Sequence, residues 1–233
     1  MLYCTLRRTR LKLCETTKLF WDEYPYKLVL KNKTAHIFRN KNLSYARQIL
    51  DKMQTSYVEN QPLCLTRGFR MDTVTEQQFL DSKKLLHFFS SRNDYRLRIE
   101  LAYLSIYSFD LSWLNTISKS LGPGSVKELW QPGSNTANLL SKNTVILQEN
   151  LGYNYRITLG RKSSDTSAFA NFVRSNSHLV RVGPVLMNEL ENNGYVNGMY
   201  FYARDDKTIQ LCHLMLDNIR RIDKIIYKHD VDK

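Results

Sequence analysis

Arg8, Arg10 and Lys12 alternate with Leu11 and Leu13 near the start of the chain. That is the period of a strand with an apolar face and a face lined by three cations. From Tyr26 the run YKLVLKNKTAHIF predicts a hairpin, with Leu28 and Leu30 before a cationic turn at Asn32-Lys33 and Ile37 after it. Ser44 then caps a helix whose Tyr45, Ile49 and Met53 recur every four residues.

The run YRLRIELAYLSIY at 95–107 echoes the first hairpin: Tyr26 falls on Tyr95, Leu28 on Leu97, Leu30 on Ile99 and Ile37 on Ile106. Ser112 follows as the cap of a helix carrying Trp113, Leu114, Ile117 and Leu121, stopped by Gly122-Pro123-Gly124. The echo supports a ββα unit used twice in the N-terminal half. Alternating apolar patterns also resemble one another by construction, so the two readings stand side by side. The charge is not repeated, since Lys31, Lys33 and Arg39 correspond to Glu100, Ala102 and Ser108. Within the second copy Arg96 and Arg98 share one strand face while Tyr95, Leu97 and Ile99 share the other.

Between the copies, Thr73 with Glu76 three residues on marks the start of a helix over 74–89. After the Gly/Pro/Asn/Ser-rich stretch at 122–143, TVILQENLGYNYRITL reads as a hairpin. Short helices follow, one capped by Asp165 and one with Pro184 in its first turn. MYFYARDDKTIQLCHLML reads as a further hairpin turning at Asp205-Asp206, and Ile219, Ile222 and Ile226 close the chain as a helix or a strand.

Strands and helices without regular alternation predict an α+β fold of two small lobes, each an antiparallel sheet with packed helices. The expected division is a basic lobe over 1–122, a loop or linker over 123–143, and a second α+β lobe over 144–233.

An apolar fraction of 42% with 12% aromatics is enough for packed cores in 233 residues. The net charge of +12 is unevenly placed: residues 1–70 hold 14 Lys/Arg against 5 Asp/Glu, while 71–150 hold 8 against 8. A cluster of this kind is the electrostatic footprint of a polyanion partner, against the plainer reading of a solvated surface. The four cysteines stand far apart, without a C-x-x-C pair, and no apolar run approaches the ~18 residues of a membrane helix. The basic N-terminus has no apolar stretch of a signal peptide after it, so an intracellular, cytoplasmic protein without a membrane partner is expected.

Walker, dinucleotide, H-E-x-x-H and G-x-S-x-G motifs are all missing, and the five histidines are scattered. Asp205, Asp206 and Lys207 invite comparison with a two-metal nuclease, but adjacent aspartates more simply serve a turn. Arg67-Gly68-Phe69-Arg70 begins like the sheet motif of RNA-recognition domains. Arg70 stands where a small residue is required, so that family is not assigned. A cation, a flexible glycine, a ring and a second cation can still hold a phosphate and stack a base.

The expectation is therefore a non-enzymatic nucleic-acid-binding protein, without catalytic, metal or cofactor site. Its phosphate contacts are assigned to Arg7, Arg8, Arg10, Lys12, Lys31, Lys33, Arg39, Lys41, Arg67 and Arg70, with Phe69 for stacking. Single-stranded DNA or RNA is favoured, because the cations fall on strands and turns and no long basic helix offers itself to a major groove. The alternative is a structural or assembly subunit of a viral particle or other large complex, with protein partners or as a homo-oligomer, whose basic face meets an acidic protein or packaged nucleic acid. A metal-dependent nuclease is the least favoured reading.

Overall fold

The computed structural model describes residues 11–67, 70–161 and 165–228; the side chains of Arg67 and Arg70 are not described. The protein is α+β, and its contacts divide it into two units: Met1–Thr16 with Glu23–Pro132, and Thr17–Asp22 with Gly133–Lys233.

In unit 1 the strands are β1 (Lys12–Thr16), β2 (Tyr26–Lys31), β3 (Cys64–Arg67), β4 (Arg70–Thr73), β5 (Tyr95–Glu100), β6 (Tyr103–Ser108) and β7 (Val126–Pro132). The helices are a 3₁₀ segment Lys33–Lys41, α1 (Leu43–Val58), α2 (Glu76–Ser90) and α3 (Leu111–Ser120). Five strands form a sheet in the order β1-β7-β2-β6-β5, antiparallel except for the parallel β1–β7 pair, while β3 and β4 form a separate hairpin. Leu28 and Leu30 of β2, Leu104 and Ile106 of β6 and Leu129 of β7 point to one face, where Leu50, Phe79, Phe89 and Ile117 of the helices close a single core. Phe89 lies at its centre, 5.1 Å edge-on from Phe38 and 5.1 Å stacked on Tyr95.

Unit 2 contains β8 (Thr144–Leu147), β9 (Tyr155–Leu159), α4 (Ser167–Ser175), β10 (Val180–Val182), α5 (Pro184–Glu191), β11 (Tyr200–Ala203), α6 (Asp206–Met215) and β12 (Ile219–Tyr227). Its sheet runs β10-β11-β9-β12-β8, with β12 and β8 parallel. Ile157, Leu159, Phe201 and Ala203 pack against Phe169, Leu190 and Cys212 from its three helices.

The two sheets share one plan. Numbering the five sheet strands of each unit in chain order, both read 1-5-2-4-3, with strands 1 and 5 parallel and the other neighbours antiparallel. In both, a helical segment joins strands 2 and 3 and another joins strands 4 and 5, a split βαβ connectivity with one added edge strand. The repetition in the protein is thus the sheet plan; unit 1 adds the β3–β4 hairpin between strands 2 and 3, and unit 2 adds α5 between strands 3 and 4.

The echo at 26 and 95 has a narrower basis. Tyr26 and Tyr95 both lie opposite Ser108, because β2 and β5 flank the same strand β6. The segment after β2 is 3₁₀ helix instead of the second strand of a hairpin. Asn32 causes the change: its buried side chain accepts from Thr34 N at 3.0 Å and donates to Gln78 O and Ser82 Oγ at 3.0 Å, fixing a local turn in place of a ladder.

Other departures are also local competitions. Asn42 caps α1 in place of Ser44, Asp110 caps α3 in place of Ser112, and the capping box of α2 is Thr75 with Gln78. Asp205 accepts from Thr208 N at 2.8 Å and starts α6, so 199–216 is strand and helix, not a hairpin. β8 and β9 do not pair with each other, since β12 lies between them. A register shift between Ile219 and Arg221 lets Ile219 and Ile222 both reach the core from a strand, which is why their spacing imitates a helix.

Candidate nucleic-acid interface

The face of the unit 1 sheet turned away from the helical core carries cations and rings in cross-strand rows. One row runs Arg96–Tyr107–Lys27–Trp130–Cys14 across β5, β6, β2, β7 and β1. The next pairs Arg98 with Ser105, Ser105 with Val29, Val29 with Glu128 and Glu128 with Lys12. At the end of β2, Lys31 lies opposite Tyr103, which lies opposite Glu100.

The rings and cations touch. The Lys27 ammonium sits 4.8 Å from the Trp130 ring centroid and that of Lys31 sits 5.9 Å from Tyr103. These distances fit cation–π attraction, which holds each flexible lysine over a ring. Trp130 Nε1 donates to Glu128 Oε2 at 2.7 Å, and Arg98 pairs with Glu100. Tyr107 is buried beside Tyr24, whose ring lies 4.8 Å from that of Phe109. Burial lowers the pKa of the Lys27 ammonium, and the charge of Glu128 acts in the opposite direction. Lys12, Lys31, Arg96, Arg98 and Tyr103 are exposed. Five cations against Glu100 and Glu128 make the face positive.

A buried polar cluster places β7, and with it Trp130, in register. Lys31 N donates to Ser125 O at 2.8 Å, while the buried Asp81 carboxylate accepts from Gly122 N at 2.9 Å and from the Ser125 hydroxyl. Residues 126–132, inside the expected linker, are therefore an interior strand of the sheet.

Of the residues expected to bind phosphate, Lys12 and Lys31 lie on this face. Lys33, Arg39 and Lys41 belong to the 3₁₀ segment instead. There Lys33 Nζ donates to Thr73 O at 3.1 Å, and Lys41 Nζ donates to Asn93 O at 3.1 Å and stands 4.1 Å from the Tyr95 centroid. Arg39 lines a shallow cleft with His36, Asn40 and Tyr45 at the start of α1. Arg67 and Arg70 are backbone partners across the β3–β4 hairpin. Arg7, Arg8, Arg10 and Phe69 lie outside the described residues.

Lys27, Arg96, Arg98, Tyr103 and Trp130 were not among the expected contacts. The alternation of Arg96 and Arg98 is visible in the sequence, but the neutral overall charge of 71–150 gives no sign that these two join Lys27 and Lys31 on one face.

Among the described residues no group of three or more His, Cys, Asp or Glu side chains is gathered to hold a metal ion, and no helix is long and apolar enough to cross a membrane. No protein-family model, curated protein or solved structure matches the chain.

Proposed function

We propose that the protein is a nucleic-acid-binding protein that holds a single strand of DNA or RNA on the outward sheet face of unit 1. The observation that carries this reading is the exposed cations Lys31, Arg96 and Arg98 around the rings of Trp130 and Tyr103, set in place by the cross-strand row Arg96–Tyr107–Lys27–Trp130 in which Tyr107 is the buried member. Cations on a ring-bearing sheet suit a polymer whose flat bases stack and whose phosphates need counter-charges. A sheet of this kind does not enter a major groove as a recognition helix does, which favours unpaired nucleic acid over duplex. The strand connectivity by itself assigns no function, because one fold serves many. Binding needs no group transfer, so the proposed role is non-enzymatic.

Fluorescence anisotropy with single-stranded DNA, duplex DNA and RNA, each titrated over a salt series, tests the reading. Affinity for single strands is expected to exceed that for duplex and to fall steeply with salt. Weak binding that is indifferent to salt overturns it. In that case, a homogeneous assembly that survives nuclease treatment, seen by light scattering after size exclusion, points to a structural subunit instead.

A further inference from the structure

We propose that unit 2 carries a second contact for single-stranded nucleic acid on the outward face of its own sheet, built on Tyr200, Tyr202 and Arg181. The proposal rests on the reading of unit 1 and extends it to a surface that the charge distribution did not single out.

The shared strand plan makes β9, β10 and β11 the counterparts of β2, β5 and β6. In unit 1 the corresponding strands place Arg96 opposite Tyr107 and Tyr107 opposite Lys27. In unit 2 they place Arg181 opposite Tyr202 and Tyr202 opposite Arg156. The order of arginine, tyrosine and cation therefore recurs across the same three strands. It also recurs on the same side, since the alternate residues Ile157, Phe201 and Val180 face the helical core.

The inner cation has a different task in unit 2. Arg156 is only 13% exposed and its Nη2 donates to Asp223 Oδ2 at 2.7 Å. Its guanidinium lies 5.3 Å from the Tyr200 centroid and braces that ring. Tyr200 meets Tyr202 edge-on at 5.7 Å, and Tyr202 stacks with Tyr153 at 6.4 Å. Tyr153 is tied down in turn by its hydroxyl, which donates to Ser177 O at 2.8 Å. The outermost ring of this fixed array, Tyr200, is 48% exposed. Arg181, also exposed, supplies a cation opposite Tyr202.

A nucleotide is the occupant that uses both features. Its base stacks on a ring already held in place, so little side-chain freedom is lost, and its phosphate meets Arg181. An acidic peptide would satisfy the cation while leaving the braced ring without a role.

The test uses the full chain with fluorescein-labelled oligothymidylate and oligouridylate of ~20 nucleotides, long enough to occupy a sheet-sized site. Tyr200→Ala is expected to weaken binding at least about fivefold, and Tyr200→Phe, which keeps the ring, to stay within about twofold of wild type. Arg181→Glu, a surface change with an unaltered thermal midpoint, is expected to weaken binding and to flatten its salt dependence. Photo-cross-linking with 5-iodouracil should place the oligonucleotide on the peptide containing Tyr200 and Tyr202. Wild-type affinity in both Tyr200→Ala and Arg181→Glu overturns the second contact; if Lys31→Glu with Arg96→Glu still weakens binding, the reading of unit 1 survives. Should none of these variants weaken binding, the reading of unit 1 falls, and the second contact with it.

Discussion

Arg156 and Asp223 face each other on β9 and β12, with Nη2 2.7 Å from Oδ2, and the Asp223 side chain is wholly buried. Asp223 also accepts from Arg221 Nε, and Arg221 pairs with Asp22. One buried carboxylate thus compensates two guanidinium groups. Asp223→Ala strands Arg156 and leaves Arg221 with Asp22 alone, so a loss of about 3–5 kcal/mol is expected, read from the urea midpoint. Replacing the pair with apolar residues, Arg156→Met with Asp223→Leu, should recover much of that loss. A single variant as stable as wild type would show that the network contributes little.

Asp110 joins two jobs at the start of α3. Its Oδ1 accepts from Ser112 Oγ at 2.7 Å and Trp113 N at 3.0 Å, and its Oδ2 accepts from Arg92 Nη1 at 2.6 Å. The Ser112 hydroxyl, the Trp113 N–H and the Arg92 guanidinium, in that order, hold its carboxyl below the usual range. A carboxyl whose pKa is depressed by folding adds stability that is complete above its unfolded value of about 3.9 and is lost as pH falls toward the folded one. Asp110→Ala should cost about 1 kcal/mol at neutral pH, as loss of a cap does, and should reduce the fall in stability below pH ~4. Asp110→Asn retains a cap acceptor and should lie between the two in thermal melts.

Cys212 is enclosed by the unit 2 core, and burial pushes its thiol up to about 12. Since the thiolate is the reactive form, iodoacetamide at neutral pH should reach Cys212 only as the unit opens. Exposed Cys64 should be modified before Cys212. Peptide mass spectrometry over a labelling time course, with and without urea, measures the order.

On the unit 1 face, each phosphate contact removed should lower the slope of log affinity against log salt by about 0.7 for a single strand. Arg96→Glu with Lys31→Glu is expected to reduce the slope by about 1.4 or more, and Trp130→Ala to weaken binding with little change in slope. An anisotropy series at several salt concentrations separates the two behaviours.

Phe89→Ala empties the position between Phe38 and Tyr95. A loss of about 3–5 kcal/mol is expected from the lost burial and the residual cavity, measured by urea unfolding.

What the sequence alone determined was local. The helix that becomes α2, the proline opening α5 and the opposite faces of Arg96 and Leu97 follow from periodicity and backbone chemistry, which neighbouring residues settle among themselves. Cap positions slipped because Ser44 and Asn42, or Ser112 and Asp110, are both competent caps. Only the surrounding packing selects where the first helical turn begins. The tertiary structure decided strand neighbours: Lys27 beside Trp130, Arg181 beside Tyr202, β12 between β8 and β9. Those pairings join distant parts of the chain, and alternation assigns a residue to a face without saying which strand lies alongside. The candidate site depends on that missing information, because a binding row is made across strands and not along one.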